Sequence, residues 1–261
     1  MNDRNAARLT GVLFIVATAV NLLGAAIRPN LAGSDYLARM AADPGRVAAG
    51  SLLLLIAAFA CAGIAVAMYP VLGRAHTGLA LGSVVFRTME AVMLVVAVVS
   101  LLSLSTLGQA SIAAGAAESA SVGVVGGLLV GVREHAALAG VFAFCLGAFL
   151  YYVALFQSRL IPRWLSVWGV AAIVMLATAG VLALFADRPI TSYVVLAFPI
   201  FVQEMVLAAW LIAKGFSPAA AISLEAGTAA SREAVRTAPA PAAPEAGVTA
   251  TRAGGAPAAA R

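Results

Sequence analysis

The sequence predicts an all-α, polytopic transmembrane helix bundle of six spans, with a short interfacial helix between spans one and two. The first observation behind this is composition. Of 261 residues, 63% are hydrophobic and only 10% are charged, with a mean hydropathy of +1.01. Soluble domains carry roughly 25% charged residues, so a water-soluble fold is excluded. The second is that the apolar residues come in runs of about 20, the length a helix needs to cross a hydrocarbon core. The third is that most basic residues lie between or beyond those runs.

Span one runs from Leu9 to Ile27, interrupted only by Thr10, Thr18 and Asn21. Arg28 and Pro29 stop it, because proline cannot continue the hydrogen-bond ladder. Arg4 and Arg8 ahead of an apolar run invite comparison with a signal peptide, but this run exceeds the roughly 7–15 residues of a secretory core. It reads as a retained first helix. Next comes the amphipathic segment Ser34, Asp35, Tyr36, Leu37, Ala38, Arg39, Met40. Ser34 is the expected N-cap and Asp43, Pro44, Gly45 the stop, which places this short helix at the interface.

Span two covers Val47 to Tyr69 and is expected to end at Pro70 and a polar turn with Gly73, Arg74 and His76. Span three, Gly78 to Leu107, is longer than one crossing requires, so its outer end should tilt or project. The region from Gly108 to Val132 is rich in Gly, Ala and Ser and contains Glu118. Its apolar run, Val122 to Val132, is too short to cross, which suggests an outer helix or a segment leaning on the bundle.

Span four, Ala136 to Phe156, follows the trio Arg133, Glu134, His135 and carries Tyr151 and Tyr152 near its far end. A loop with Gln157, Ser158, Arg159, Pro162 and Arg163 leads to span five, Trp164 to Ala186. Trp164 and Trp168 suit the headgroup level, where amphipathic rings are favoured. Asp187, Arg188 and Pro189 turn the chain into span six, Tyr193 to Ala213, with Pro199 as a kink and Glu204 inside. The transmembrane domain therefore covers 1–216. Residues 217–261 form an Ala/Pro-rich tail too poor in large apolar residues to offset its ordering entropy, and disorder is expected there.

With six spans both termini share a side. Arg4, Arg8, Arg74, Arg159, Arg163 and Lys214 flank that side, against Arg28, Arg39, Arg46, Arg133 and Arg188 on the other, a bias that favours cytoplasmic termini. The net charge of +5 suits a bilayer with anionic headgroups; nucleic acid would want a dense basic face, and none is present. Cys61 and Cys145 lie within apolar runs and read as small packing residues with no disulfide between them.

Arg87 and Glu90 stand deep inside span three, where an ionised side chain costs roughly 3 kcal/mol and so needs a partner. Ser83, Arg87 and Glu90 share one helical face, continued by Leu94 and Ala97, and that face should point into the bundle. Counting from Gly78 and from Lys214 at 1.5 Å per residue puts Arg87 and Glu204 at the same depth, about 14 Å in. Asn21 reaches nearly the depth of Glu90. One arginine with five donors can serve two carboxylates. Arg87, Glu90, Glu204, Asn21 and Ser83 are thus the candidate set, either a structural ion network or a site for a ligand or proton.

No residue pattern specifies catalysis. With only His76 and His135, on opposite faces, neither a metal site nor any cofactor is indicated, and no nucleophile has a base at readable spacing. Gly78 with Gly82, and Gly123, Gly127, Gly131, form small-xxx-small patterns expected to pack within the protomer, while leaving a homo-oligomer open.

The segment Ser158 to Leu165 with Gly169, the start Arg8, Leu9, Thr10, Gly11, the run Phe86, Arg87 to Glu90, and the end Glu204, Trp210, Leu211, Lys214, Gly215 resemble a bacterial membrane-protein family catalogued as domain of unknown function 4386. The resemblance spans Ala7 to Phe216. It implies a six-helix integral membrane protein and assigns no substrate, activity or site residues. The expected function is accordingly that of a non-enzymatic protein binding a small molecule or lipid, of transport or partner type. The alternative is an intramembrane enzyme acting on a lipid or isoprenoid, which would need a polar cleft open to the headgroups.

Overall fold

The computed structural model describes residues 2–113, 120–223, 226–227 and 230. Among these the chain is helical throughout, with no strand. The elements are α1 (Asp3–Ile27), α2 (Tyr36–Ala42), α3 (Pro44–Ala113), α4 (Ala120–Ser158), α5 (Arg163–Ala186), a 3-10 turn (Ile190–Tyr193) and α6 (Val194–Ala213). Five stretches, with all of α3 counted as one, are long and apolar enough to cross a membrane.

At 70 residues α3 would reach about 105 Å if straight, more than three hydrocarbon cores. It does not stay straight. His76, with φ −149° and ψ 85°, leaves the helical region and divides α3 into arms 44–75 and 77–113. The arms fold back on each other, since Arg87 Nε on the second donates to the Cys61 carbonyl on the first at 3.3 Å. The break falls at His76, within the expected polar turn, while the helix runs on through Pro70, where span two was expected to end. Proline forfeits one N–H bond, whereas stopping a helix there would strand several backbone groups in an apolar setting.

Antiparallel packing carries through the bundle. Helix α1 lies against α3 and α6, α3 against α4, α4 against α5, and α5 against α6. Helix α1 meets the first arm backbone to backbone: a Cβ on Gly24 would stand 2.9 Å from the Gly50 carbonyl oxygen, and one on Gly50 3.0 Å from that of Gly24. The main core gathers Phe14, Ile64, Met68, Tyr151, Tyr152 and Leu207. Leu52, Phe59, Phe185 and Val195 point outward, as a lipid-facing surface requires.

The region expected to be an outer helix or a segment leaning on the bundle is, among the described residues, the ends of two long helices. Helix α3 continues to Ala113 and α4 begins at Ala120; Glu118 lies outside the described residues. The Ser100 hydroxyl donates to the Leu129 carbonyl at 2.6 Å and ties the two ends together. Helix α2 docks onto them, with Leu37 and Met40 against Leu101 and Leu104, and with Ser105 donating to the Met40 carbonyl at 3.3 Å. Its N-cap position is held by Asp35, one residue after the expected Ser34, and Asp35 pairs with Arg39.

Of the small-residue patterns, Gly82 packs within the protomer as expected, and Gly78, Gly123 and Gly127 do not. A methyl group added at Gly123, Gly127 or Gly78 would meet nothing within 4 Å among the described residues, while one at Gly82 would meet Leu150. Beyond α6 the packed chain continues past Phe216: the Ser217 amide donates to the Leu160 carbonyl at 2.8 Å, and Ala221 is buried. Residues 231–261, the greater part of the tail, lie outside the described residues.

Candidate functional site

Span three supplies the charged centre because its face of Ser83, Arg87, Glu90, Leu94 and Ala97 turns inward, and the first three of these are buried. Arg87 is only 1% exposed. Room for it comes from α4, where Gly147 crosses so closely that a Cβ would lie 3.0 Å from Arg87 Cγ and 3.1 Å from its amide nitrogen. Any larger residue at 147 would displace the arginine.

Three contacts hold the guanidinium. Nε donates to the Cys61 carbonyl at 3.3 Å, the Phe144 ring centroid lies 4.9 Å from Cζ, and Nη1 stands 2.8 Å from Glu90 Oε2. A desolvated cation over an aromatic face is worth about 2 kcal/mol. The contact with Glu90 is an ion pair by distance, yet its angles do not make a hydrogen bond, so Nη1 and Oε2 both keep unused hydrogen-bonding capacity.

Glu204 enters the same space from α6. It forms no ion pair with Arg87 within 4.0 Å; its buried Oε1 meets no donor in good hydrogen-bond geometry, although the Tyr151 hydroxyl lies beside the carboxylate. Arg87, Glu90 and Glu204 line one cavity of about 300 Å³, together with Cys61, Phe144 and Ile64. The cavity reaches the surface between α1 and α6, beside Asn21, Leu22 and Phe201, which are exposed. Arg87 Nη1 and Glu90 Oε2 are each other's ion-pair partner at 2.8 Å, whereas the Glu204 carboxylate lies outside ion-pair distance, and a buried polar atom left without a well-aligned partner costs about 1–3 kcal/mol.

The structure therefore brings Arg87, Glu90, Glu204 and Asn21 to one cavity, with Asn21 at its rim. Ser83 is not among the lining residues; it is buried, and its hydroxyl has no partner among the described residues. Cys61, read as a packing residue, contributes both the carbonyl that orients Arg87 and part of the cavity wall. Both cysteines are free.

A second polar cluster involves residues that the sequence pattern does not single out. The Tyr152 hydroxyl donates to Gln203 Oε1, and Gln203 Nε2 donates to the Leu165 carbonyl at 3.1 Å, linking α4, α5 and α6. Gly169 makes this possible, since a Cβ there would fall 2.5 Å from the Tyr152 ring. The signal available in the sequence is Gln203 itself, a polar residue inside a span and adjacent to Glu204.

Residues 9–215 match the family model described as a domain of unknown function, DUF4386. The chain belongs to the DUF4386 family. No curated protein and no solved structure matches it. The DUF4386 region takes in every residue lining the cavity, from Phe14 to Glu204, and the family description names no activity.

Proposed function

We propose that this DUF4386 protein crosses a bacterial inner membrane six times and binds a small amphipathic molecule in the cavity around Arg87, Glu90 and Glu204. The crossings are α1, the two arms of α3, α4, α5 and α6, with α2 at the interface. Cytoplasmic termini follow from the basic residues Arg4, Arg8, Arg74, Arg159, Arg163 and Lys214 at their end of the bundle.

The observation that carries the ligand reading is a misaligned Arg87–Glu90 ion pair and a Glu204 carboxylate outside ion-pair distance, all lining one mainly apolar space. A ligand head that accepts from Nη1 and donates to a carboxylate would fit them, as a hydroxyl or amide can. Its apolar body would lie against Phe14, Ile64 and Phe144, and it would enter from the lipid side between Asn21 and Phe201. A space of about 300 Å³ is at the small end of ligand pockets, which run roughly 300–1,000 Å³.

Native mass spectrometry of protein extracted in mild detergent tests this. The wild type should carry a small molecule that is absent from Ala197→Phe, which fills the cavity, and depleted in Glu204→Gln. An unoccupied wild type that Ala197→Phe merely stabilises would make the space a packing void.

A further inference from the structure

At the opposite end of the bundle from the termini, a separate pocket of about 550 Å³ opens between the α1–α2 link, the start of span four and the α5–α6 turn. Its charged lining consists of Arg28, Arg133, Glu134, Asp187 and Arg188, with His135 beside them. Three guanidinium groups thus face two carboxylates.

These arginines differ from Arg39 and Arg46 at the same end of the bundle in having no ion-pair partner among the described residues. Nearby, Arg39 pairs with Asp35, and Arg46 stands 3.8 Å from Asp43. Arg28, Arg133 and Arg188 reach no described carboxylate within 4.0 Å. Arg28 is partly buried; its side chain makes one long hydrogen bond, 3.5 Å from Nη1 to the Pro29 carbonyl, and its buried Nε has no partner among the described residues. Burial and the neighbouring charge of Arg133 together pull the Arg28 guanidinium down to about 10, so it is still cationic at neutral pH and is held at a cost. Two like charges converging on a half-buried pocket is the arrangement that an anion relieves, through charge-assisted bonds to a guanidinium fork.

We infer that this pocket is an anion site, in which Arg28 and Arg133 together hold a phosphate or carboxylate group, with Arg188 at its edge. The group belongs to a small free anion or to a lipid headgroup. Glu134 and Asp187 confine it to the arginine side of the pocket. The site is distinct from the central cavity, although Ala137 lines both, and it stands whether or not that cavity holds a ligand.

The test uses the full chain in phosphatidylcholine nanodiscs and reads thermal stability at constant ionic strength, with inorganic phosphate or acetate replacing chloride. A parallel arm counts phosphatidylglycerol molecules retained in native mass spectra. Wild type is expected to respond in at least one arm, and Arg28→Gln and Arg133→Gln each to lose that response about tenfold in apparent affinity. Arg39→Gln should keep it. Should Arg28→Gln fail to fold, Arg133→Gln decides alone. A phosphate or acetate response identifies a free anion, and retention of phosphatidylglycerol alone identifies a headgroup. No response in either arm, or a response undiminished in the glutamine variants, overturns the site.

Discussion

Gln203 and Glu204 are adjacent in α6, and they face two different worlds. Gln203 is fully buried and takes part in a closed set of bonds, accepting from Tyr152 and donating to the Leu165 carbonyl. Glu204, one residue on, turns into the cavity with an oxygen that no donor meets in good geometry, opposite an arginine whose pair with Glu90 is close but misaligned. The comparison separates two uses of polarity inside a bundle. A closed network holds helices in register, while an open one keeps hydrogen-bonding capacity for something else.

The largest expected effect comes from opening the Arg87 cluster further. Arg87→Met leaves Glu90 as an unpaired buried carboxylate and should destabilise the protein by about 3–5 kcal/mol. Pairing it with Glu90→Met removes that charge too and should recover most of the loss, read by thermal unfolding in detergent. If the double variant is as unstable as the single one, Arg87 acts through packing on Gly147 and Phe144 and not through charge.

The closed cluster should be the next most sensitive. Gln203→Leu strands the Tyr152 hydroxyl and removes the second bond to the Leu165 carbonyl, which keeps its bond within α5; it is expected to cost about 1–3 kcal/mol, with no change in any ligand held by the cavity. A loss of co-purifying ligand in this variant would erase the distinction between the two clusters. Gly169→Ala probes the same cluster by volume. Its Cβ would press on ring carbons of Tyr152 that Gly169 and Tyr151 leave no room to move, the two tyrosine rings being 4.4 Å apart, so about 1–3 kcal/mol is expected. Tyr152→Phe should not rescue it, because the clash is with the ring.

Charge and apolar run length make the spans and the open cluster legible, since both Arg87 and Glu204 stand out against an apolar background and simple depth counting levels them. The closed cluster stays hidden because Tyr152 resembles an interfacial aromatic, and only tertiary packing at Gly169 draws it inward. Boundaries are misjudged for a related reason. Pro70 and the glycines after Gly108 are strong local breakers in water, but within a packed apolar helix the backbone bonds they would sacrifice outweigh their preference. The kink at His76 falls in the polar turn that the sequence marks, whereas the extension of α3 and α4 past the expected ends is held by neighbours across the bundle, such as Leu129 accepting from Ser100.

The smallest stability effect is the most informative one. Glu204→Gln keeps the shape of the side chain and removes a carboxylate that has no ion-pair partner within 4.0 Å among the described residues, so folding stability should change by less than about 1 kcal/mol. Occupancy of the cavity should nevertheless fall, because an amide presents one acceptor where a carboxylate offers two and adds donors facing Arg87. Stability and occupancy thus move independently at residue 204 and together at Arg87, where the same side chain both neutralises Glu90 and faces the ligand space. A Glu204→Gln protein as destabilised as Arg87→Met would mean that the carboxylate is part of the scaffold, and the neighbouring residues of α6 would then share one structural task.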